Sequence, residues 1–344
     1  MPYTTLDTPA IVHRIDSDLD EVVAAVREAD PHLRSLILTG GFARGEGTVL
    51  DGVPQNDYDF VVVRGFGRPR EAYGPLRHRL ERLLGLHVDL AAVPAWRLSH
   101  APATVFWYET ALRGRVLWGE DLLPRIPIRH AKDLDRGEGL RLLANRAAGL
   151  LFATETRDAH AVRIQAAKAI LAAFDAQMLA AGHFAPSQAE RWRSFQELFA
   201  RGQAPTQLQM QAPQLAWAFR FKTAPGSVVD RDPDDVWQAA RRILLQALPI
   251  ALRHAGHASL EAAGRSDTFL DLALYALRAH RAKGAHRFVL NPTSQVRVAT
   301  LRLLDASPHG RVMPDVAAHC FTGIARMGPR PLRTLAALRE ATRP

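Results

Sequence analysis

The chain has 344 residues, 47% hydrophobic and 23% charged, a balance that excludes a disordered or low-complexity polymer and a length that exceeds one typical core. Its formal charge of +9 would suit an anionic partner, yet only Lys132, Lys168, Lys222 and Lys283 are lysine. The arginines are scattered and form no aromatic-interleaved stripe, so a nucleic-acid surface is not favoured. A single cysteine, Cys320, excludes an internal disulfide framework and a thiolate metal cluster and fits a reducing cytoplasm.

The first twenty residues lack the basic-then-apolar order of a signal peptide, and no apolar run reaches the ~18 residues of a membrane helix. The expectation is a cytoplasmic protein with no membrane partner. Asp16 or Ser17 can cap a helix through "LDEVVAAVREA", which Pro31 follows. The period then changes. "SLILT" (35–39) is a short apolar run ending in Gly40-Gly41. "DYDFVVV" (57–63) starts in alternation and ends β-branched, and "LHVDLAAV" (86–93) alternates again, so all three read as strands. Between the last two, "GPLRHRLERLLG" carries apolar residues at helical spacing and stops at Gly85. "TVFWYETALRG" is a further helix and "RVLWGEDLL" a short strand or extended segment.

Beyond the Pro-rich stretch 124–133 the helical period takes over. "GLRLLANRAAGLLFAT" and "AVRIQAAKAILAAFDAQMLAAG" are apolar-periodic, Ser187 and Glu190 form a capping box, and Asp232-Pro233, Ser266-Asp267 and Asn291-Pro292 open further helices. The predicted fold class is therefore an α/β (α+β) domain with a small mixed sheet, residues 1–125, followed by an α-helical bundle, residues 126–344, with the active site in the cleft between them.

The chemistry concentrates in "LTGGFARGEGTVLDGVPQNDYDF" (38–60). Asp57 and Asp59, at i and i+2 of a strand, leave the same face of the sheet and run directly into a doubly buried "FVVV". At ~4 Å and an effective dielectric of ~20 two such charges repel by about 4 kcal/mol. A cation must offset that, and hard divalent ions with oxygen ligands are the natural candidates. Asp89 lies opposite the apolar set of the next strand and can stand beside them. Three convergent carboxylates suit two metal ions ~4 Å apart. Gly40, Gly41, Gly45 and Gly47 would let main-chain N–H groups approach phosphate oxygens.

Other motifs fail. Glu46 stands where a Walker A loop needs lysine, 65–70 lacks the third glycine of a dinucleotide fingerprint, and no G-x-S-x-G elbow is present. The histidines show no HExxH spacing; His309, His319 and Cys320 are too irregular for zinc, and His87 reads as a strand residue. Trp96, Trp107 and Trp118 are expected to pack between sheet and bundle.

"LTGGFARGEG", "NDYDFVVV" and "HVDLAAV" together resemble the minimal nucleotidyltransferases of the DNA polymerase β superfamily: a strand, a Gly-Gly or Gly-Ser turn with Arg-Gly, Asp-x-Asp on the next strand, and a third Asp. The resemblance covers 35–123. It implies transfer of a nucleoside monophosphate from an NTP, ATP first, with Asp57, Asp59 and Asp89 as catalytic metal ligands. Asp89 would also activate the acceptor hydroxyl. Gly40, Gly41, Arg44 and Gly45 would lie near the phosphates, and the cofactor would be Mg2+, two ions, with Mn2+ as the substitute. The chain departs from the family pattern at Gly41, which replaces a frequent serine, at Asn56, and in its long 47–56 loop. The helical half resembles the bundle that small-molecule nucleotidyltransferases append. In it Gln165, Lys168 and Asp175 share a helical face which Asn145-Arg146 can join, and Arg146 and Lys168 would neutralise triphosphate charge; a solvated face with a Lys-Asp pair is the equal alternative. The expected acceptor is a small molecule bearing a hydroxyl. Protein modification of the AMPylating, toxin-antitoxin kind and tRNA are the alternatives, and a nucleotide-binding scaffold without catalysis is the reading of another class.

Overall fold

The structure is a computed structural model that describes residues 2–55, 57–65, 73–154, 158–228, 231–264, 300–302 and 304–307. The cap signals at Ser266-Asp267 and Asn291-Pro292, together with Asn56, His309, His319 and Cys320, lie outside the described residues. The chain forms two compact units, one of Met1–Asp135, Gly182–Gln203 and Arg220–Val228, the other of Arg136–Ala181, Ala204–Phe219 and Val229–Pro344.

The first unit opens with helix α1, Pro9–Ala29. It starts earlier than the cap expected at Asp16 or Ser17: the Thr8 hydroxyl accepts from the Ile11 N–H and Pro9 occupies the first turn. Asp16 instead accepts from the Tyr3 hydroxyl at 2.8 Å, and Ile11 and Ile15 extend the buried stripe backwards. Strand β1, Leu33–Thr39, leads into the four-residue helix α2, Gly40–Ala43. The hairpin strands β2, Val49–Leu50, and β3, Val53–Pro54, occupy the long loop before strand β4, Tyr58–Arg64. Helix α3, Tyr73–Leu84, ends at Gly85 and returns the chain to strand β5, Val88–Pro94. Helix α4, Val105–Arg113, capped by Thr104, precedes strand β6, Arg115–Gly119.

The sheet order is β5-β4-β1-β6. β1 is antiparallel to β4 and β6, whereas β4 and β5 are parallel, as a helical crossover permits. Tyr58, Phe60 and Val62 of β4, with Leu36 and Leu38 of β1, pack on Ile15, Leu19 and Val22 of α1 and Leu80 of α3. Ile37, Val61 and Val63, on the other face, are also fully buried, so the apolar run after Asp59 is covered on both sides. Trp118 packs against the α1 side with Arg27 5.0 Å over its ring. Trp96, by contrast, is 64% exposed, against the expectation of packing: in its 3-10 turn Ala95 and Leu98 are the residues that point inward.

The second unit is helical: α5, Glu138–Ala153; α6, Ala159–Ala180; α8, Thr206–Met210; α10, Pro233–His254; and α11, Leu260–Gly264. Helix α7, Gln188–Ala200, belongs to the first unit, and helix α9, Ala212–Thr223, is divided between them after Phe219. Small residues let α5 and α6 approach: Cβ atoms on Gly139 and Gly149 would meet Ala176 at 3.5 Å and the Gln165 amide at 2.5 Å. α6 is buried almost all round from Ala166 to Leu179, which leaves it little amphipathic contrast. No described helix is long and apolar enough to cross a membrane.

Candidate functional site

The site is assembled at the mouths of β4 and β5. Their parallel register sets Asp59 opposite Asp89 and Tyr58 opposite Val88. Alternation then sends Asp59 and Asp89 to one face of the sheet, while Tyr58, Phe60 and Val88 enter the core on the other. Asp57 stands just ahead of β4, where the Tyr58 N–H donates to the His87 carbonyl at 2.9 Å and starts the pairing.

β1 delivers the glycine turn to the same place, because Thr39, its last residue, pairs with Asp59 and donates a hydrogen bond to the Asp59 carbonyl at 3.2 Å. Gly40 has φ +68°, and a Cβ there would lie 2.0 Å from Asp59 Oδ2. The carboxylate therefore fills the space that a side chain at position 40 would need. Gly45 also takes a positive φ, +75°, with the Pro2 carbonyl 3.1 Å from where its Cβ would be. The amides from Arg44 to Gly47 are spent inside the protein: Arg44 N–H on Gly40, Gly45 N–H on Phe42, Glu46 N–H on Gly41 and Gly47 N–H on Tyr3 carbonyls. Gly45 thus closes the turn with its own amide.

Arg44, expected beside phosphates, has its guanidinium between two carboxylates, with Nε 3.0 Å from Glu46 and Nη1 2.7 Å from Glu109 of α4. Burial would lower its pKa, but Glu109, Glu46 and the nearby Asp59 together raise it above the ordinary arginine value. Burial likewise pushes Glu46 up, while Lys222, Arg44 and the Ala189 N–H bring it down to about 2.

Asp89 has a partner that spacing alone did not single out. His87, two residues before it, lies with Nε2 3.4 Å from Asp89 Oδ1 and Nδ1 2.5 Å from Glu81 Oε1 at the end of α3. The hydrogen bond to Asp89 raises the His87 pKa, with added fields from Asp89, Asp57 and Glu81 against the effect of burial. An i, i+2 His-x-Asp pair at a strand mouth is the only signal that could have pointed to it, and it is a weak one.

Among the described residues, no three His, Cys, Asp or Glu side chains are gathered at metal-holding distance. Asp59 turns to Gly40 and Asp89 to His87. The donor set nevertheless has the chemistry of a hard divalent ion: carboxylates paired in register on one sheet face, with Asp57 adjoining. In the second unit, Arg146 of α5 and Lys168 of α6 are both half-buried. The packing of Gly139 on Ala176 and Gly149 on Gln165 sets them level on facing helices. Asp175 is buried, not part of a solvated face.

No protein-family model matches the chain, and no curated protein matches it. Among solved structures, the tri-AMPylated Shewanella oneidensis HEPN toxin in complex with MNT antitoxin contains a chain 20% identical to this one, covering 30% of this chain and 72% of that one, with a TM-score of 0.23. A chain of the toxin-antitoxin MntA-HepT is 19% identical, covers 32% and 80%, and has a TM-score of 0.24. A chain of the toxin-antitoxin with AMP-PNP is 21% identical, covers 31% and 80%, and has a TM-score of 0.25.

Proposed function

We propose that the chain is a metal-dependent nucleotidyltransferase that moves a nucleoside monophosphate from an NTP to a hydroxyl of a small-molecule acceptor. The observation that carries this reading is the pairing of Asp59 with Asp89 on neighbouring parallel strands, with the Gly40 backbone pressed against the Asp59 carboxylate. Arg44 beside Asp59 and His87 beside Asp89 offset part of the acidic charge on this face, and a cationic ligand would offset more of it. Asp57, Asp59 and Asp89 would hold the divalent ions. When bound, the ions supply charge neutralisation at the phosphates and a lowered pKa for the attacking hydroxyl.

The chain's own residues do the remainder. Asp59, braced on Gly40, fixes where the nucleotide's phosphates meet the sheet. Asp89 is oriented by His87 through Oδ1 and would take the acceptor's proton on its other oxygen. Arg44 places a positive charge beside Asp59 while closing the turn through Glu46 and Glu109.

Incubation with each labelled NTP and a panel of hydroxyl-bearing small molecules, with and without Mg2+, tests the reading. Mg2+-dependent release of pyrophosphate, abolished in Asp59→Asn, is expected. Metal-independent nucleotide binding that survives Asp59→Asn, with no pyrophosphate, would mark a scaffold instead; transfer to protein or tRNA alone would move the acceptor and leave the chemistry.

A further inference from the structure

The turn beside Asp59 is held from outside the sheet. Arg44, Glu46, Glu109, Arg191 and Lys222 form one alternating chain of charge in the first unit, none with a side chain more than 17% exposed. Glu109 accepts from Arg44 at 2.7 Å and from Arg191 of α7 at 3.0 Å. Glu46 takes Arg44 on one oxygen and the Ala189 N–H of α7 on the other, at 2.9 Å, with Lys222 Nζ 3.8 Å away and anchored on Gln188. Arg191 is fixed in turn by the Ala185 carbonyl at 2.6 Å and the face of Phe184 at 4.4 Å.

Desolvating so many charges stabilises a fold no better than apolar packing of the same shape would, and removing one partner strands another. What such a network does supply is directionality. Two of its three cations come from Gly182–Gln203 and Arg220–Val228, segments that follow helices of the other unit in the chain. Both bear on carboxylates that grip Arg44, and through it the Gly40–Gly47 turn.

We propose that Arg191 and Lys222 are positioning residues of the candidate site, holding the glycine turn against Asp59 through Glu109 and Glu46. Its catalytic consequence rests on the nucleotidyltransferase reading; its structural consequence does not. With Arg191 neutral, Glu109 keeps Arg44 as its sole cation in the network, and the pull that Arg44 divides between Glu109 and Glu46 becomes unequal. With Lys222 neutral, Glu46 loses the cation opposite Arg44. In either case the turn loosens at its Arg44 end while the sheet beneath it stays paired.

Hydrogen-exchange mass spectrometry on the full chain is the test. Arg191→Met and Lys222→Met should each speed exchange in peptides spanning 40–47 by about tenfold, with β1 and α1 peptides unchanged, and Arg191→Lys should restore part of the protection. If Arg191→Met does not fold, the charge-balanced Arg191→Met/Glu109→Gln pair is read in its place. In nucleotidyl transfer, Arg191→Met should lower kcat by on the order of 10²-fold with KM for NTP little changed. Unchanged exchange across 40–47 in folded variants overturns the proposal, as does unchanged kcat. If the wild-type chain transfers no nucleotide, the functional reading fails while the exchange result still decides the positioning.

Discussion

At position 40 two separate constraints exclude any side chain: a φ of +68° and an Asp59 oxygen 2.0 Å from where a Cβ would stand. Gly40→Ala should therefore destabilise by about 1–3 kcal/mol in urea unfolding and, because the displaced group is Asp59, reduce nucleotidyl transfer even in the folded fraction. Glu46 carries a pH signature. Its folded pKa, about 2, lies below the unfolded value of 4.5, so the stability it lends is complete above pH 4.5 and drains away as the pH falls towards 2. Glu46→Gln should be less stable at neutral pH, with Arg44 and Lys222 left buried, yet lose less between pH 4.5 and 2; denaturant titrations across that window measure both. His87 works in the opposite sense. Its pKa is raised, so its contribution is present below 6.5 and lost as the pH climbs through the folded value. Asp89→Asn should bring that pKa down, which proton NMR of the imidazole reads directly. The glycine turn and the acidic residues beside it were legible as candidates because they stand at short spacings in the chain. Glu109 and Arg191 were not, because they lie 82 positions apart and nothing local marks either.

Among the elements, those with a strong local signal formed as read. The Ser187–Glu190 box closes in both directions around the start of α7, Asp232 caps α10, and β4 and β5 pair with the alternation seen in the sequence. Ser187→Ala should cost about 1 kcal/mol in thermal or denaturant unfolding, the usual loss for an N-cap hydroxyl. α1 shows where local signals mislead: Asp16 and Ser17 have the right chemistry for a cap, but Thr8 followed by Pro9 has it too, and the buried stripe through Ile11 and Ile15 decided between them. In α6 the apolar period marked the helix but not its surroundings: burial nearly all round from Ala166 to Leu179 comes from the helices packed on it.

For the whole molecule, the first unit is discontinuous: it needs Gly182–Gln203 and Arg220–Val228 as well as its N-terminal 135 residues. A fragment ending at Asp135 would leave Glu46 without Lys222 and Ala189, and Glu109 without Arg191. Such a fragment should fail to unfold cooperatively in calorimetry, whereas the full chain should do so.

The sequence by itself determined the mixed α/β class with its helical half, the four strands of the main sheet in chain order, and the glycine turn just ahead of Asp57 and Asp59, because periodicity, caps and charge at short spacing are local physics. Only the tertiary structure decided that β4 and β5 run parallel with Asp59 against Asp89, that Arg44 is clasped by carboxylates, and that distant segments supply Arg191 and Lys222 to the clasp. Those are pairings between residues far apart in the chain. Their energy comes from burial and register, which exist only once the sheet has closed.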